Sequence, residues 1–519
     1  MNPNTMQADD LLILMNGADV PDSRPVLLTP GQHRDDRDVV YEIGIDVFSE
    51  SVLSSLPTTS LFRMDNVIGE LLGEPGKRQL REVDEHRMRG IVDAHVKLAK
   101  WVKRQDNPPT QVFVSCTRDL AAVLLANAPA TGLVPELRLL TPYPVFLPGL
   151  QLVQPGWNSG AGVYYDEPAD LVGLVPQPEP SLDSIYDLLV DFPFADDHAS
   201  KHNAVGFVFT IVLRPAIDGN LPFHLLTAPL ERTGKGKLIE ALGGRLVLGA
   251  SVPVLQPGRT EEEREKRITS LILRGATVVH FDNLPTDEIF DSAAFASLAT
   301  TRVWTGRLLG KSKTPQLPNT LIPILSGNNT RASGEVTKRI VPIKLHPMTD
   351  SPEDRVDFLH QDIDAYVRAQ RREVLSHVLG FVVKWNAAQN PHPKDIRMGG
   401  FEEWVRIVGG VTTFAGATEW MQNYRSWVRQ GDEFAADAAV LFTQWLARRG
   451  EQEVTATEIL EIVNDAEVFP HVTARKPEGQ LVCLARSVLS RLEGRPVDNY
   501  VVKRRGAGAS KRYRLQRID

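Results

Sequence analysis

The chain has 519 residues, 42% hydrophobic and 24% charged, with a formal net charge of −7. That length exceeds one ordinary hydrophobic core and predicts two to four domains, while no apolar run reaches the roughly 20 residues a membrane helix needs. The acidic balance means that any nucleic-acid contact must come from local basic patches rather than the overall field.

The N-terminus, MNPNTMQADD, is polar and acidic and unlike a signal peptide. Cys116 and Cys483 stand far apart, which argues against a disulfide scaffold or a cysteine zinc site and suits a reducing cytoplasm. Residues 60–104 read as helical, ending in a face with Lys97, Lys100, Lys103 and Arg104 that suits phosphates or, more simply, solvent. Val112-Phe113-Val114 is strand-like, Leu120–Ala126 helical, and residues 154–165 carry a hairpin signal. Pro-rich residues 173–181 read as a linker. Asp196, Asp197, His198 and His202 could suggest a metal cluster, but a helix N-cap with acidic first-turn residues explains them more simply.

The other motifs gather round residues 222–237, PFHLLTAPLERTGKGK. Strand-like Phe223–Leu226 enters a turn at Pro229 and leaves through Gly234-Lys235-Gly236 into helix-like Leu238–Leu242. Strand, Gly-Lys turn and helix form the layout of a phosphate-binding loop, where backbone N–H groups cradle phosphate oxygens and a lysine reaches the terminal phosphates. Against the pattern G-x-x-x-x-G-K-[ST], Pro229 replaces the first glycine and Gly236 stands where a magnesium-binding hydroxyl is expected. The expected nucleotide-binding residues are Pro229, Thr233, Gly234, Lys235, Gly236 and Lys237.

Thr260 and Glu263 have capping-box spacing and open a helix through Ile268, Leu271 and Ile272 that Gly275 stops. The apolar run Thr277–Phe281 ends in Asp282, which can hold magnesium. A third run, Leu321–Leu325, ends in the amide pair Asn328-Asn329, able to hold an attacking water or a γ-phosphate. Lys338-Arg339 follows, then a fourth apolar run, Ile340–Leu345; Arg339 suits an arginine finger reaching a neighbouring subunit's nucleotide. Between Asp282 and the amide pair lies a basic insertion with Arg302, Trp304, Arg307, Lys311 and Lys313, suited to a nucleic-acid backbone or to a solvated surface hairpin.

The run from Asp191 to Leu345 resembles the ATPase core of mobile-element replication proteins, the phage and plasmid primase–helicase-type enzymes that belong with superfamily 3 helicases among AAA+-like P-loop ATPases. The stretches that carry the resemblance are DFPF (191–194), RPAIDGNLPFHLLTAP (214–229), TGKG (233–236), EREKRITSLILRGATVVHFDN (263–283), GRLLG (306–310), and SGNN with KRIVPIKL (326–345). It continues through GGFEEWVRIVGGVTTFAG (399–416) and covers about two thirds of the chain. It implies ATP and Mg2+ as cofactors, Lys235 on the β- and γ-phosphates, Asp282 organising magnesium, Asn328 or Asn329 as sensor and Arg339 as finger. Asn283 stands where many such motors have a glutamate that polarises water, so the catalytic base is unassigned; Glu261, Glu262 and Glu263 are candidates only by position.

Residues 355–390 read as one or two amphipathic helices forming a lid, with Arg371 as a lid sensor or a plain surface arginine. From about Glu433, helices at 433–449, 455–465 and 478–493 precede a basic hairpin: Lys503, Arg504, Arg505, Lys511, Arg512 and Arg514, with Tyr500 and Tyr513 interleaved. Three helices and a terminal hairpin spell a winged helix whose last helix faces the groove. The expected fold is therefore α/β: a P-loop AAA+-like core (191–346), an N-terminal α+β accessory domain (1–172), a linker (173–190), a helical lid (347–432) and a winged-helix DNA-binding domain (433–519). The expected function is an ATP-driven DNA helicase or translocase forming a ring, with a hexamer as the expected size. The expected partners are single-stranded or forked DNA and a separate primase or replication protein. The competing reading is an ATP-switched, slowly hydrolysing initiator or loader, which Gly236 and Asn283 favour.

Overall fold

The computed structural model describes residues 24–34, 40–57, 60–64, 67–102, 108–196, 198–285, 289–306, 316–332, 334–347, 349, 351–431, 433–506 and 511–518. Its centre is a five-stranded, all-parallel sheet. In chain order the strands are β1 (Phe223–Ala228), β2 (Val254–Leu255), β3 (Val278–Leu284), β4 (Ile322–Asn328) and β5 (Ile340–Lys344). They lie in the order β2-β3-β4-β1-β5, so β4 is inserted between the strand of the Gly-Lys turn and the strand of Asp282. All six residues of β1 are buried, as are the first four of β3, the first six of β4 and the first four of β5. A parallel sheet covered on both faces requires such continuous apolar runs.

The helix Ala199–Leu213 precedes β1 and is buried along nearly its whole length, as its apolar sequence dictates. Asp196 caps it: its carboxylate accepts from the Ser200 backbone N–H (2.6 Å) and hydroxyl (2.8 Å), and from the Asn423 amide (2.7 Å). His202 is bonded to the Tyr186 hydroxyl (2.9 Å) and accepts from the Glu419 N–H (3.1 Å). The helix has no acidic residue in its first turn among those described; Asp197 lies outside the described residues.

Residues 60–104 are not helical throughout. Leu61–Met64, Val67–Leu72 and Gln79–Glu82 form an antiparallel sheet, and only Glu85–His95 is helix. Lys97–Val102 is the central strand of a second sheet, between Val26–Leu28 and Thr110–Val114. Side chains alternate along a strand, so Lys97 and Lys100 fall on opposite faces and no basic helix face exists there; Lys103 and Arg104 lie outside the described residues. Residues 173–181, expected as a linker, meet the long helix Ile363–Ala387, with the Gln177 N–H donating to the Ser376 carbonyl at 2.8 Å. Of the one or two helices expected over 355–390 there is one, of 25 residues, and residues 355–362 stay outside it.

Most apolar side chains from 27–134 form one core, and Phe62, Met64 and Leu71 join Leu137 in a smaller one. The parallel sheet's core takes in residues from Leu139 to Trp427, and a separate core spans Ala438 to Leu515. The last contains helices Glu433–Arg449, Ala456–Asp465 and Pro477–Cys483, the last prolonged through Leu492, followed by the antiparallel strands Pro496–Val497, Tyr500–Arg505 and Arg512–Arg517. No described helix is long and apolar enough to cross a membrane.

Candidate nucleotide site

Of the expected site residues, those of the Gly-Lys turn, Asp282 and the amide pair converge at the carboxyl ends of β1, β3 and β4, the edge where open α/β sheets bind ligands. Gly234 has φ +97°, a conformation glycine alone adopts freely, and a Cβ there would rest 3.6 Å from the Phe192 ring. The Thr233 hydroxyl donates to the Leu230 carbonyl at 2.7 Å and so braces the turn. Lys235 begins the following helix. Its Nζ donates to Asn328 Oδ1 at 2.6 Å and to the Leu230 carbonyl at 3.2 Å. Burial holds the Lys235 amine below its ordinary pKa, and the Asp282 and Glu231 charges oppose that shift. A Cβ at Gly236 would meet nothing within 4 Å, so the missing hydroxyl is not a matter of space. Lys237 points elsewhere, its Nζ 3.4 Å from Asp364 at the head of the long helix.

The amide pair divides its work. Asn328 faces Lys235, whereas Asn329, at φ +45°, donates its N–H to the Ala228 carbonyl (3.0 Å) and its side-chain amide to the Pro229 carbonyl (3.3 Å), clipping the entry to the turn.

Asp282 sits in a β-bulge. The register of β3 against β4 shifts between Phe281 and Leu284, and Asn283 adopts φ +60°. Bulges re-aim side chains next to functional sites. Here Asp282 Oδ1 accepts from the Asn283 N–H at 2.8 Å and from the Ser326 hydroxyl. The Ser326 oxygen lies 2.8 Å from His280 Nε2. Because the hydroxyl proton goes to Asp282, His280 must donate through an Nε2–H. Burial keeps the His280 pKa low, against the pull of Asp282 and Glu240. Neither Ser326 nor His280 was singled out from sequence.

Asp282 Oδ2 accepts no hydrogen bond among the described residues. That suits Mg2+, which is commonly held by one or two carboxylates plus substrate phosphates rather than by a protein cage. The three glutamates are engaged away from it. Glu261 accepts from the Ala294 N–H (2.8 Å) and Ser292 hydroxyl (3.0 Å), Glu262 pairs with Lys266 (2.6 Å), and Glu263 accepts from the Arg259 N–H (3.0 Å) and pairs with Arg267.

A cavity of about 940 Å³ opens beside the turn, with Phe192, Phe194, Thr233, Lys237, Phe358 and Ile363 in its wall. Asp191 organises it: the carboxylate accepts from the Leu359 and His360 N–H groups, both at 2.8 Å, and its carbonyl accepts from Arg355 at 2.6 Å. The DFPF stretch was visible in the sequence, but its place beside the turn was not.

Arg339 lies at the opposite end of the sheet. Its carbonyl accepts from the N–H of Phe223, the first residue of β1, and its guanidinium pairs with Glu335 at 2.9 Å. Arg371 is neither a lid sensor nor a surface residue. It is buried, donating to the Leu246 (2.9 Å) and Val247 (2.8 Å) carbonyls at the end of the helical run that follows the turn, and pairing with Asp170.

The insertion is an antiparallel hairpin, Val303–Thr305 with Gln316–Pro318. Arg302 pairs with Asp218 at 2.9 Å, and Trp304 is buried, donating to the Thr269 hydroxyl at 2.9 Å. Arg307, Lys311 and Lys313 lie outside the described residues. In the C-terminal hairpin, Tyr513 is buried in the core and Arg504 pairs with Glu493 at 3.3 Å.

The fold and site together describe a mixed α/β protein whose parallel sheet holds a Gly-Lys turn, an acid and an amide at one edge. No family model matches the chain, nor does any curated protein. Among solved structures it is similar to the apo C-terminal region of NrS-1, with TM-score 0.38 and 10% identity over 84% of this chain and all of that one. It is also similar to the SCCmec type IV Cch helicase (TM-score 0.36, 12% identity, 81% of this chain, 90% of that one). The JCV helicase matches 48% of this chain and 72% of its own at TM-score 0.22 and 12% identity.

Proposed function

We infer that the chain is an ATP-dependent DNA helicase or translocase of a phage or mobile-element replication system, working as an oligomeric ring. The observation that carries this reading is the meeting of Lys235 with Asn328, beside Asp282, at the carboxyl ends of three strands of one parallel sheet. ATP phosphates over the Gly-Lys turn would meet backbone N–H groups at a helix start and the Lys235 cation. Asp282 would hold Mg2+, which supplies charge neutralisation on the β- and γ-phosphates when bound. The Phe192–Phe358 cavity has the size and apolar wall to take the nucleobase. Asn328 would orient a γ-phosphate or water, and Asn329 would hold the turn in shape.

Arg339 is too far from its own turn to serve it. Five residue steps separate Phe223 from Ala228, roughly 16 Å of strand, so the finger would act on a neighbouring copy, with a hexamer as the expected ring. DNA would be gripped by the 302–313 insertion and by the C-terminal domain, read as a winged helix, with residues 1–172 as an accessory domain and a primase on a separate chain.

One observation favours a second reading. Asn283, in the usual place of a water-polarising glutamate, is exposed and lies in a left-handed bulge, and Gly236 lacks the hydroxyl. An ATP-switched initiator or loader would need neither. ATP hydrolysis by the purified chain with and without single-stranded DNA, beside Lys235→Ala and Arg339→Ala, separates them. DNA-stimulated turnover lost in both variants supports the motor; ATP binding with turnover no faster than Lys235→Ala supports the switch.

A further inference from the structure

We propose that the outer face of the C-terminal hairpin binds the phosphate backbone of duplex DNA, and that the helix before it does not enter a groove. This rests on the nucleic-acid reading above and changes which surface and which form of DNA are involved.

Strand register sets the face. Lys503 stands opposite Arg514, Arg505 opposite Arg512, and Val501 opposite Gln516. Cross-strand partners share a face, and residues two apart share it as well. Four cations therefore lie together on one side of two strands. The other side carries Val502, Tyr513 and Leu515, all buried in the domain core, together with Arg504, whose partner is Glu493. A cavity of about 480 Å³ is lined by these four cations together with Gln516, Glu453 and the Arg504 side chain, which reaches it from the edge. Like charges directly opposite one another destabilise a sheet, and among the described residues two acids face these four cations: Glu453, 3.5 Å from Arg505, and Glu458, which feels the charge of Arg512. A polyanion supplies the missing counter-charge.

The composition of the face selects the polyanion. Single-strand sites combine basic grooves with aromatic rings on which bases stack, but the non-basic positions here are Val501 and Gln516, and Tyr513 is buried. Charge-only contact suits the denser phosphate array of the duplex, about one charge per 1.7 Å of axis. Such contacts position a protein without reading sequence.

The preceding helix lacks the chemistry of a groove reader. Its exposed charges are Glu478, Arg486 and Arg491, the last stacked over Phe434 at 4.0 Å, and exposed Leu481 and Val482 lie between the first two.

The test is anisotropy of the full chain, without nucleotide, on a random-sequence duplex and on the single strand of equal length, across a salt series. It can be read even if the chain hydrolyses no ATP, so failure of the motor reading is a separate result. Replacing Lys503, Arg505, Arg512 and Arg514 by Gln is expected to flatten the duplex salt slope by about 3.6, at about 0.9 per lost contact, and to weaken binding on the order of 10²-fold at low salt. Arg512→Gln alone removes about 0.9 of slope, and exchanging the three arginines for lysine preserves it, which guards against a folding artefact. Leu481→Ser with Val482→Ser and Arg486→Gln leaves duplex binding unchanged. The proposal is overturned if the wild type does not bind duplex, or if the Gln variant keeps the wild-type slope. It also falls if the helix variant loses duplex binding, or if the hairpin changes alter oligomer size in light scattering while duplex affinity stays the same.

Discussion

The Lys235 amine and the Asn328 side-chain oxygen lie 2.6 Å apart, joining the turn after β1 to the end of β4. The partner is a neutral amide, so the lysine's charge is oriented without being cancelled. A carboxylate at 328 would form an ion pair that competes with phosphate. Asn328→Asp is therefore expected to weaken binding of a fluorescent ATP analogue at least tenfold. Asn328→Ala should leave binding within a few-fold and lower kcat about 10²-fold, as loss of one preorganised polar group does. Equal loss of binding in both variants would show that Asn328 does no more than hold the turn.

Ser326 orients Asp282 from the neighbouring strand, and groups that orient metal-binding side chains typically contribute 10–100-fold in affinity or activity. Ser326→Ala should raise the Mg2+ concentration for half-maximal turnover about tenfold, with the same shift in direct Mn2+ binding followed by electron paramagnetic resonance. Ser326→Thr should restore much of it. Gly236→Ser, for which there is room, should shift half-saturation the other way. Unchanged metal binding in Ser326→Ala would reduce the Asp282–Ser326–His280 chain to core packing.

β1, β3, β4 and β5 were legible because strands buried on both faces must be apolar throughout, and β3 and β4 carry at their ends the Asp282 and Asn328 of the candidate site. The Ser326–His280 link was not. It depends on register: His280 opposes Ile324, which puts Ser326 two places along on the same face, and the bulge after Phe281 then turns Asp282 toward it. No spacing along the chain encodes that. Lys97–Val102 was misread because a six-residue run with lysines at 97 and 100 fits helical spacing as readily as a strand, and only pairing with Val26–Leu28 and Thr110–Val114 decides it. The basic hairpin was legible as a cluster, but not the division of Arg504 from its neighbours.

The placement of Arg339 leads to a mixing experiment. A finger acting between subunits can be supplied by a copy that cannot hydrolyse ATP itself. Arg339→Ala and Lys235→Ala chains, each inactive alone, should regain a measurable fraction of wild-type hydrolysis when mixed and allowed to exchange subunits. Absence of any recovery across mixing ratios, with mixed assembly verified, would mean that Arg339 does not act in trans.

Asp191 shapes the cavity beside the turn by holding the Leu359 and His360 N–H groups. Asp191→Ala frees that loop, and Phe192→Ala removes the ring next to Gly234. Both are expected to raise KM for ATP about tenfold with smaller effects on kcat, the pattern of lost ground-state binding. A fall in kcat at constant KM would place the nucleobase elsewhere.

His224 gives the core a pH dependence of definite sign. It lies in β1 with its ring 5.0 Å from Phe207 and 6.1 Å from Trp404, and neither ring nitrogen has a hydrogen-bond partner in the structure. Burial pulls its pKa down to about 3 from the usual 6.5. Below the unfolded value the unfolded chain binds a proton that the folded chain refuses. The neutral ring's contribution is thus complete above about pH 6.5 and is lost as pH falls toward 3, at about 1.4 kcal/mol per pH unit inside that window. Denaturant unfolding of the sheet-containing core, followed by Trp fluorescence at pH 7.5 and 5.0, should show a drop that His224→Leu reduces by about 2 kcal/mol. With no hydrogen bond to lose, His224→Leu should cost little at pH 7.5. An identical pH dependence in wild type and His224→Leu would mean that water or a local opening reaches this ring in the folded protein.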